Sequence, residues 1–224
     1  MENGVDNAVK LRIDSALNLN EFYTDKNGTE ELVSAKRNEG GFIHVVDVLA
    51  EDENARNTFK TDMIITRVTH IDADDERGTP EKAIVRGCIF DFRKAMLPVE
   101  FTATSAGAIA YFEGLEASSS NPVFTQLWGR QISEVTVKKI TQESAFGEDY
   151  VREVKNTRKD FVITGSLKVP YDWDDEETIT VDEFKKMIAD REVYLATVKK
   201  NQEDYKNAKA AASSTAPKTG TFNF

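Results

Sequence analysis

The chain has 224 residues, and its 29 Lys and Arg against 39 Asp and Glu give a formal net charge of −10. Hydrophobic residues make up 40% of the sequence, which fits a folded domain and excludes a disordered chain. No apolar run approaches the roughly 18 residues of a membrane span, and Met1–Gly4 does not resemble a signal peptide. The single cysteine, Cys88, excludes an internal disulfide and fits a reducing cytoplasm, where we expect a buried thiol.

The predicted elements are mostly short strands. Residues 1–41 are polar and weakly periodic, with a turn signal at Asp25–Gly28, and we expect an extension packed on the main domain. The predicted strands, in chain order, are Phe42–Leu49, Thr61–His70, Ala83–Phe92, Leu97–Thr104, Val123–Ile132, Glu134–Thr141, Tyr150–Lys155 and Lys159–Val169. The Ala-rich Ala106–Leu115 predicts a short helix between them. The pattern predicts a mainly β fold, a small barrel or sandwich.

The C-terminal region, residues 171–209, predicts an acidic turn followed by a helix. Thr180 and Glu183 have the spacing of a capping box, and apolar residues then recur at three- and four-residue intervals. Residues 210–224 are rich in small and polar residues, so we expect a flexible tail. The tail ends in Phe222 and Phe224, which predict a docking tip for a partner protein; an end with no role is the alternative.

Charge is unevenly distributed along the chain. From Ala83 to Val169 there are 11 basic and 10 acidic residues, about +1, which leaves about −11 for the remainder. Aromatic residues are interleaved with these cations. Bases stack on aromatic rings, and phosphates contact Lys and Arg, so this block favours binding of unpaired nucleic acid. The predicted stacking residues are Phe90, Phe124 and Trp128, and the predicted phosphate contacts are Arg86, Arg130, Lys138, Lys139, Arg152, Lys155, Arg158 and Lys159.

Strand alternation supports part of this surface. It places Phe124, Gln126, Trp128 and Arg130 on one face of Val123–Ile132, and Val123, Thr125, Leu127 and Gly129 on the face that we expect to join the core. The alternative interpretation is that the aromatic rings themselves fill the core while Arg130 extends its charged end to solvent.

Several segments between Phe42 and Val169 carry a family resemblance: Ala83–Gly87, Ala106–Leu115, Val123–Ser133 and Arg158–Gly165. Their order resembles that of the single-stranded DNA-binding proteins of bacteriophages, which have an OB fold. The resemblance implies a five-stranded barrel with extra strands over residues 42–170, a capping helix, and a groove for unpaired DNA. It also implies a C-terminal tail that recruits replication or recombination proteins in the cytoplasm of a bacterial host. The usual tail is acidic, whereas this one carries Lys218 and no acid.

Two acidic patterns suggest metal sites only weakly. Asp172–Glu183 spaces its oxygen ligands like a calcium loop, but Glu177 occupies the position that requires glycine. The triplet Glu153-Val154-Lys155, with Glu134 upstream, resembles the metal-binding pair of nucleases. A helix cap and an exposed charged strand explain the two patterns equally well. His44 and His70 have no partner at metal-ligand spacing and are expected to be structural.

The sequence therefore predicts a binding protein and not an enzyme, with no cofactor and no metal. We expect an OB-like barrel with an appended C-terminal helix that coats single-stranded DNA with little sequence preference. Oligomers are possible, and no membrane contact is expected. The alternative is an acidic structural or interaction module, such as a particle component or a DNA mimic, without affinity for DNA.

Overall fold

The computed structural model describes residues 8–46, 55–74, 80–91, 93–142, 146, 150–173 and 178–215, and of 134–142, 154–158 and 210–215 the backbone alone. The elements are β1 (Lys10–Lys26), β2 (Thr29–Val46), β3 (Thr58–Ile71), β4 (Lys82–Phe90), β5 (Met96–Ala103), α1 (Ala106–Gly114), β6 (Val123–Gln142), β7 (Tyr150–Ser166) and α2 (Val181–Thr215). The chain forms two compact units: Met1–Asp47 with Asp91–Met96 and Val181–Phe224, and Val48–Phe90 with Leu97–Thr180.

The first unit contains a long antiparallel hairpin of β1 and β2. Its turn uses Asn27 and Gly28, which both have positive φ, 56° and 81°, as the tight turns of hairpins require. The Gly28 amide donates a hydrogen bond to Asp25 Oδ1 at 2.9 Å. The predicted turn is thus correct. However, Phe42–Val46, which the sequence assigned to the first strand after the extension, belongs to β2 in this separate two-stranded sheet.

The helix α2 packs against β1 within the same unit. Arg191 donates to both carboxylate oxygens of Glu21, with 1% of the Glu21 side chain exposed. The Gln202 amide forms hydrogen bonds with both backbone groups of Tyr23. The helix begins at Val181, as expected after Thr180, but ends at Thr215 and not near Lys209. Residues 208–212 include four alanines, the best helix former, and they extend the helix into the predicted tail.

The second unit is a closed five-stranded barrel with the strand order β3-β4-β5-β7-β6. Neighbouring strands β3–β4, β3–β6 and β6–β7 are antiparallel, whereas β5 and β7 are parallel through Thr102↔Val162 and Ala103↔Ile163. The helix α1 lies between β5 and β6 in sequence, buries Ile109 and Phe112, and packs against β3, β4 and β7. The predicted fold class, a mainly β protein with an OB-like barrel, an internal helix and a C-terminal helix, is confirmed.

Three phenylalanines fill the barrel. The ring of Phe101 lies 5.0 Å from that of Phe59 and 5.7 Å from that of Phe161. Phe59 is opposite Gly129 in the register, and a Cβ at Gly129 would lie 2.8 Å from the Phe59 ring and 2.1 Å from the Val162 carbonyl oxygen. Glycine is therefore required where the largest ring of β3 lies on β6. Because Thr125 and Leu127 are also fully buried, the predicted core face of this strand is correct.

Four of the predicted strands merge into two long ones. The two predicted on either side of residue 133 form β6, and the two predicted on either side of residues 156–158 form β7. β6 continues from Val123 to Gln142 and β7 from Tyr150 to Ser166, and their register pairs Leu127 with Ser166 and Gln142 with Tyr150. The hairpin therefore continues well beyond the barrel segments that pair with β3 and β5.

Candidate nucleic-acid interface

Trp128 lies on the outer surface of the barrel, where β6 runs between β3 and β7. It is opposite Lys60 on β3 and Gly165 on β7, and 37% of it is exposed. A Cβ at Gly165 would lie 2.2 Å from Trp128 Nε1 and 2.3 Å from Cε2. The indole therefore rests on the backbone of Gly165, and part of its surface is open to solvent. An open aromatic ring held by the fold is a suitable platform for a nucleobase.

Cations surround this ring on the same face. Arg130 is two residues from Trp128 on β6, and Lys60 on β3 is directly opposite the tryptophan. Lys60 is exposed and Arg130 is partly exposed. The sequence interpretation missed Lys60 because its strand began at Thr61; the alternation of Thr58, Lys60 and Asp62 outward from Phe59 and Thr61 was the available signal. We call Lys60, Trp128, Arg130 and Gly165 the Trp128 surface.

Phe124 and Phe90 do not belong to this surface. Phe124 is 3% exposed, with ring centroids 4.8 Å from Tyr171, 5.6 Å from Trp173 and 5.9 Å from Phe90. The segment after β7 runs alongside β6, and the amide of Tyr171 donates to the carbonyl oxygen of Phe124 at 2.8 Å. The prediction that Phe124 stacks on bases is therefore wrong in this structure, because its outward face is covered by residues more than forty positions later. Phe90 is half-buried against Phe124.

Asp62 holds the segment of Tyr171 and Trp173, which covers Phe124, in place. Its Oδ1 accepts hydrogen bonds from the Tyr171 hydroxyl at 3.1 Å and from the Gln126 amide at 2.9 Å. Burial, and then the bond to Asp62, raise the pKa of Tyr171. The Trp173 indole donates to the carbonyl oxygen of Pro122 at 3.2 Å. The two tryptophans thus differ: Trp128 lies open on glycine, and Trp173 is held in a contact.

Arg86 lies on a different part of the barrel. It is opposite Arg67 on β3, seven residues along that strand from Lys60, or about 20 Å. Its Nε donates to Glu100 on β5 at 2.5 Å. The predicted phosphate contact is thus an ion pair across β4 and β5, distant from Trp128.

The other predicted cations lie on the β6–β7 hairpin. In the register Ser133 pairs with Lys159, Glu134 with Arg158, Val137 with Lys155, Lys138 with Val154, Lys139 with Glu153 and Ile140 with Arg152. Arg152 and Lys159 are exposed. For Lys138, Lys139, Lys155 and Arg158 the structure describes the backbone alone. The connection at the tip adds Glu143, Glu148 and Asp149 in sequence, so the basic part of the hairpin is its paired region.

A cavity of about 360 Å³ adjoins the Trp128 surface. It lies between α1 and the end of β7, and its walls include Ala108 and Tyr111 on one side and Gly165 and Lys168 on the other. The Tyr111 hydroxyl donates to the Leu167 carbonyl at 2.7 Å and fixes that side. No sequence pattern indicated this cavity, since it depends on how α1 packs against β7.

His70, which the sequence predicted to be structural, contacts three carboxylates. Its Nδ1 lies 2.6 Å from Glu113 Oε1 on α1, and its Nε2 lies 3.3 Å from both Asp72 Oδ1 and Glu81 Oε1. The hydrogen bond to Glu113 is the main reason that the pKa of His70 is raised.

Cys88 is buried as expected, and burial raises its pKa to about 12, which makes it unreactive.

The predicted docking tip and calcium loop lie wholly or partly outside the residues that the structure describes. Phe222 and Phe224 lie outside the described residues, as does part of the predicted calcium loop, 174–177. Within the described part of the chain, no group of three or more His, Cys, Asp or Glu could hold a metal ion. Glu183 of that loop instead pairs with Lys94. Of the helices described, none is long and apolar enough to span a membrane.

The second unit is thus an OB-like barrel that presents an open indole and cations on its outer face. The sequence model of the YorF family matches residues 1–202, and the chain belongs to that family. Nothing among the curated proteins or the solved structures matches the chain significantly.

Proposed function

We propose that this protein binds single-stranded DNA with little sequence preference and covers it during replication, recombination or repair. The observation that carries the proposal is the Trp128 surface, an open ring fixed on Gly165 between Lys60 and Arg130. A ring and cations in one place suit a ligand with exposed bases and a charged backbone. The exposed Lys159 and Arg152 extend the positive charge along the hairpin.

The proposed face differs from the one most often used by OB folds. There the second and third barrel strands usually bind oligonucleotides, and the corresponding strands here are β4 and β5. The Arg86–Glu100 pair neutralises charge on those strands. The outer face of β3, β6 and β7 has the open ring instead, which favours it as the DNA-binding face.

The net charge of −10 limits how binding can occur. Long-range steering of DNA toward the molecule is repulsive, so affinity must come from local contacts within about a Debye length. Acidic groups elsewhere would also disfavour duplex DNA, which offers phosphates but no exposed base faces.

The decisive experiment uses Trp128 as its own reporter. Trp128 and Trp173 are the two tryptophans of the chain, so Trp173→Phe leaves one fluorophore on the proposed surface. Labelled poly-dT should quench that fluorescence and show a retarded band that weakens as salt rises.

Trp128→Ala should weaken binding by roughly 1–3 kcal/mol, about five- to 150-fold, for one lost stacked base. Trp173→Phe is the matched aromatic control and should bind normally. Absence of binding at low salt would refute the proposal, and DNA loss that requires Mg²⁺ would indicate a nuclease.

A second candidate function, an acidic interaction module, is favoured by the base of the β1–β2 hairpin. Leu11 pairs with Val45 and Ile13 with Ile43, and all four are exposed. An exposed aliphatic face of this kind is typical of protein-binding surfaces. This alternative predicts no affinity for oligonucleotides, so the same titration distinguishes the two functions.

A further inference from the structure

The cavity beside Trp128 has the size of a small-ligand site. Its volume of about 360 Å³ lies at the lower end of the range for such sites, roughly 300–1,000 Å³. The cavity belongs entirely to the second unit, because its walls come from α1, the end of β7 and the two residues that follow.

The walls combine an aromatic side with small residues and one cation. Tyr111 and Phe112 form the aromatic side, their rings 5.1 Å apart at 80°. Ala108 of α1 and Gly165 of β7 leave the space between the two elements open, since neither has a large side chain. Lys168 lines the cavity and is exposed to solvent, so its ammonium group can stay hydrated at the opening. Flat apolar walls suit a base, and a solvent-accessible lysine suits a phosphate.

The cavity and the Trp128 surface share one residue, Gly165. Gly165 lines the cavity and also supports the indole, whose Nε1 edge lies against it. Thr164 and Ser166, the neighbours of Gly165, also line the cavity; the Ser166 hydroxyl donates to the Gln126 carbonyl oxygen at 3.2 Å, whereas Thr164 is exposed.

We propose that this cavity receives one nucleotide of the bound single strand, its base between Tyr111 and Gly165 and a phosphate at Lys168. The neighbouring base stacks on Trp128. This inference rests on the proposed function and adds a defined subsite to it. A platform alone treats all nucleotides of a strand alike, whereas a platform with an adjoining pocket fixes the position of the strand on the barrel.

The test fills the cavity and compares two positions on the same helix. Ala108→Leu places a larger side chain in the cavity wall, and Ala110→Leu places it on the exposed side of α1, outside the cavity. Both variants keep a strong helix former. Ala108→Leu should weaken poly-dT binding at least about fivefold, while Ala110→Leu should bind like the unchanged chain. Lys168→Ala should lower the salt slope of binding by about 0.7, the value for one phosphate contact on a single strand.

A second measurement does not depend on the folding of any variant. Titration of the unchanged protein with thymidine monophosphate, followed by NMR, should shift the backbone amides of Gly107 and Gly165 on the two sides of the cavity. Strand binding with equal affinities for Ala108→Leu and Ala110→Leu, or no shift at these amides, would overturn the cavity subsite and leave the proposed function intact. No binding of poly-dT by the unchanged protein would overturn both.

Discussion

At the residue scale, the proposed DNA-binding surface depends on a glycine. Gly165 supports the indole of Trp128, and a Cβ there would meet the ring at 2.2 Å. We expect Gly165→Ala to rotate the indole away and to weaken poly-dT binding by roughly the stacking energy of one base, 1–3 kcal/mol. Near-ultraviolet circular dichroism reports the change in the tryptophan environment. Gly114→Ala is the control, because a Cβ at Gly114 meets nothing within 4 Å. Unchanged affinity despite a displaced indole would remove Trp128 from the site.

His70 gives the molecule a dependence on pH that can be measured. Its hydrogen bond to Glu113, with further attraction from Asp72 and Glu81, raises its pKa in the folded state. A raised pKa means that the folded state binds the proton more tightly. The stabilisation is therefore complete below the unfolded pKa of about 6.5 and is lost as pH rises through the folded value.

We therefore expect His70→Gln to lower the free energy of unfolding more at about pH 5.5 than at about pH 8.5. Urea titrations of both proteins at the two pH values measure the difference. Glu113→Gln removes the main partner and should reduce the same pH dependence. A loss of stability that is equal at both pH values would show that His70 contributes through packing alone.

Phe124 shows why the candidate site was only partly predictable. Local alternation places Phe124 with Trp128 on the outer face, and both do point outward from the core strand face that buries Leu127. Tyr171 and Trp173 then cover one of them and not the other. A pattern that repeats every two residues contains no information on which outward positions a distant segment will cover.

At the scale of elements, the docking of α2 on β1 depends on the buried Arg191–Glu21 pair. Burial alone would raise the pKa of Glu21, but hydrogen bonds from Arg191 and Ser34 outweigh it and hold the pKa below its usual value. The pair therefore stabilises the fold above the unfolded pKa of about 4.3, and this contribution is lost as pH falls through the folded value.

We expect Glu21→Ala to lower the free energy of unfolding by about 3 kcal/mol at neutral pH, because it leaves Arg191 largely buried without its carboxylate. Far-ultraviolet circular dichroism during urea unfolding follows α2 directly. Lys185→Ala, which removes an exposed pair with Asp182 on the same helix, should cost at most about 0.5 kcal/mol. Equal effects of the two substitutions would contradict a docking contribution from Glu21.

Strands that bury more apolar side chains were predicted more accurately from the sequence. β4 and β5 bury alternate residues, and the expected Ala83–Phe92 and Leu97–Thr104 agree closely with Lys82–Phe90 and Met96–Ala103. β1 and β2 bury almost none of their side chains, with Leu19 as the buried hydrophobic residue among those described. Their sequence therefore shows only short apolar alternation, as at Leu11–Ile13, and it predicted the turn at Asp25–Gly28 but not the two strands of the hairpin.

At the scale of the whole molecule, the sequence predicted the barrel but not the face on which Trp128 is exposed. The number and order of strands, with a helix between the third and fourth barrel strands, were sufficient for the OB-like topology. The location of the open ring depends on three strands: Lys60, Trp128 and Gly165 meet only when β6 pairs with β3 on one side and with β7 on the other. The cavity depends on a different contact, the packing of α1 against the end of β7.

Closure itself depends on a short seam. Among the described residues, Thr102↔Val162 and Ala103↔Ile163 join β5 to β7, whereas β6 and β7 pair along nearly their full lengths. Parallel pairs also have slightly weaker hydrogen bonds than antiparallel ones. Native-state hydrogen exchange should therefore find the seam amides less protected than those of Leu127 and Trp128. A barrel that parts along this seam would open into a curved sheet while the β6–β7 hairpin, the most extensively paired part of the unit, stays intact.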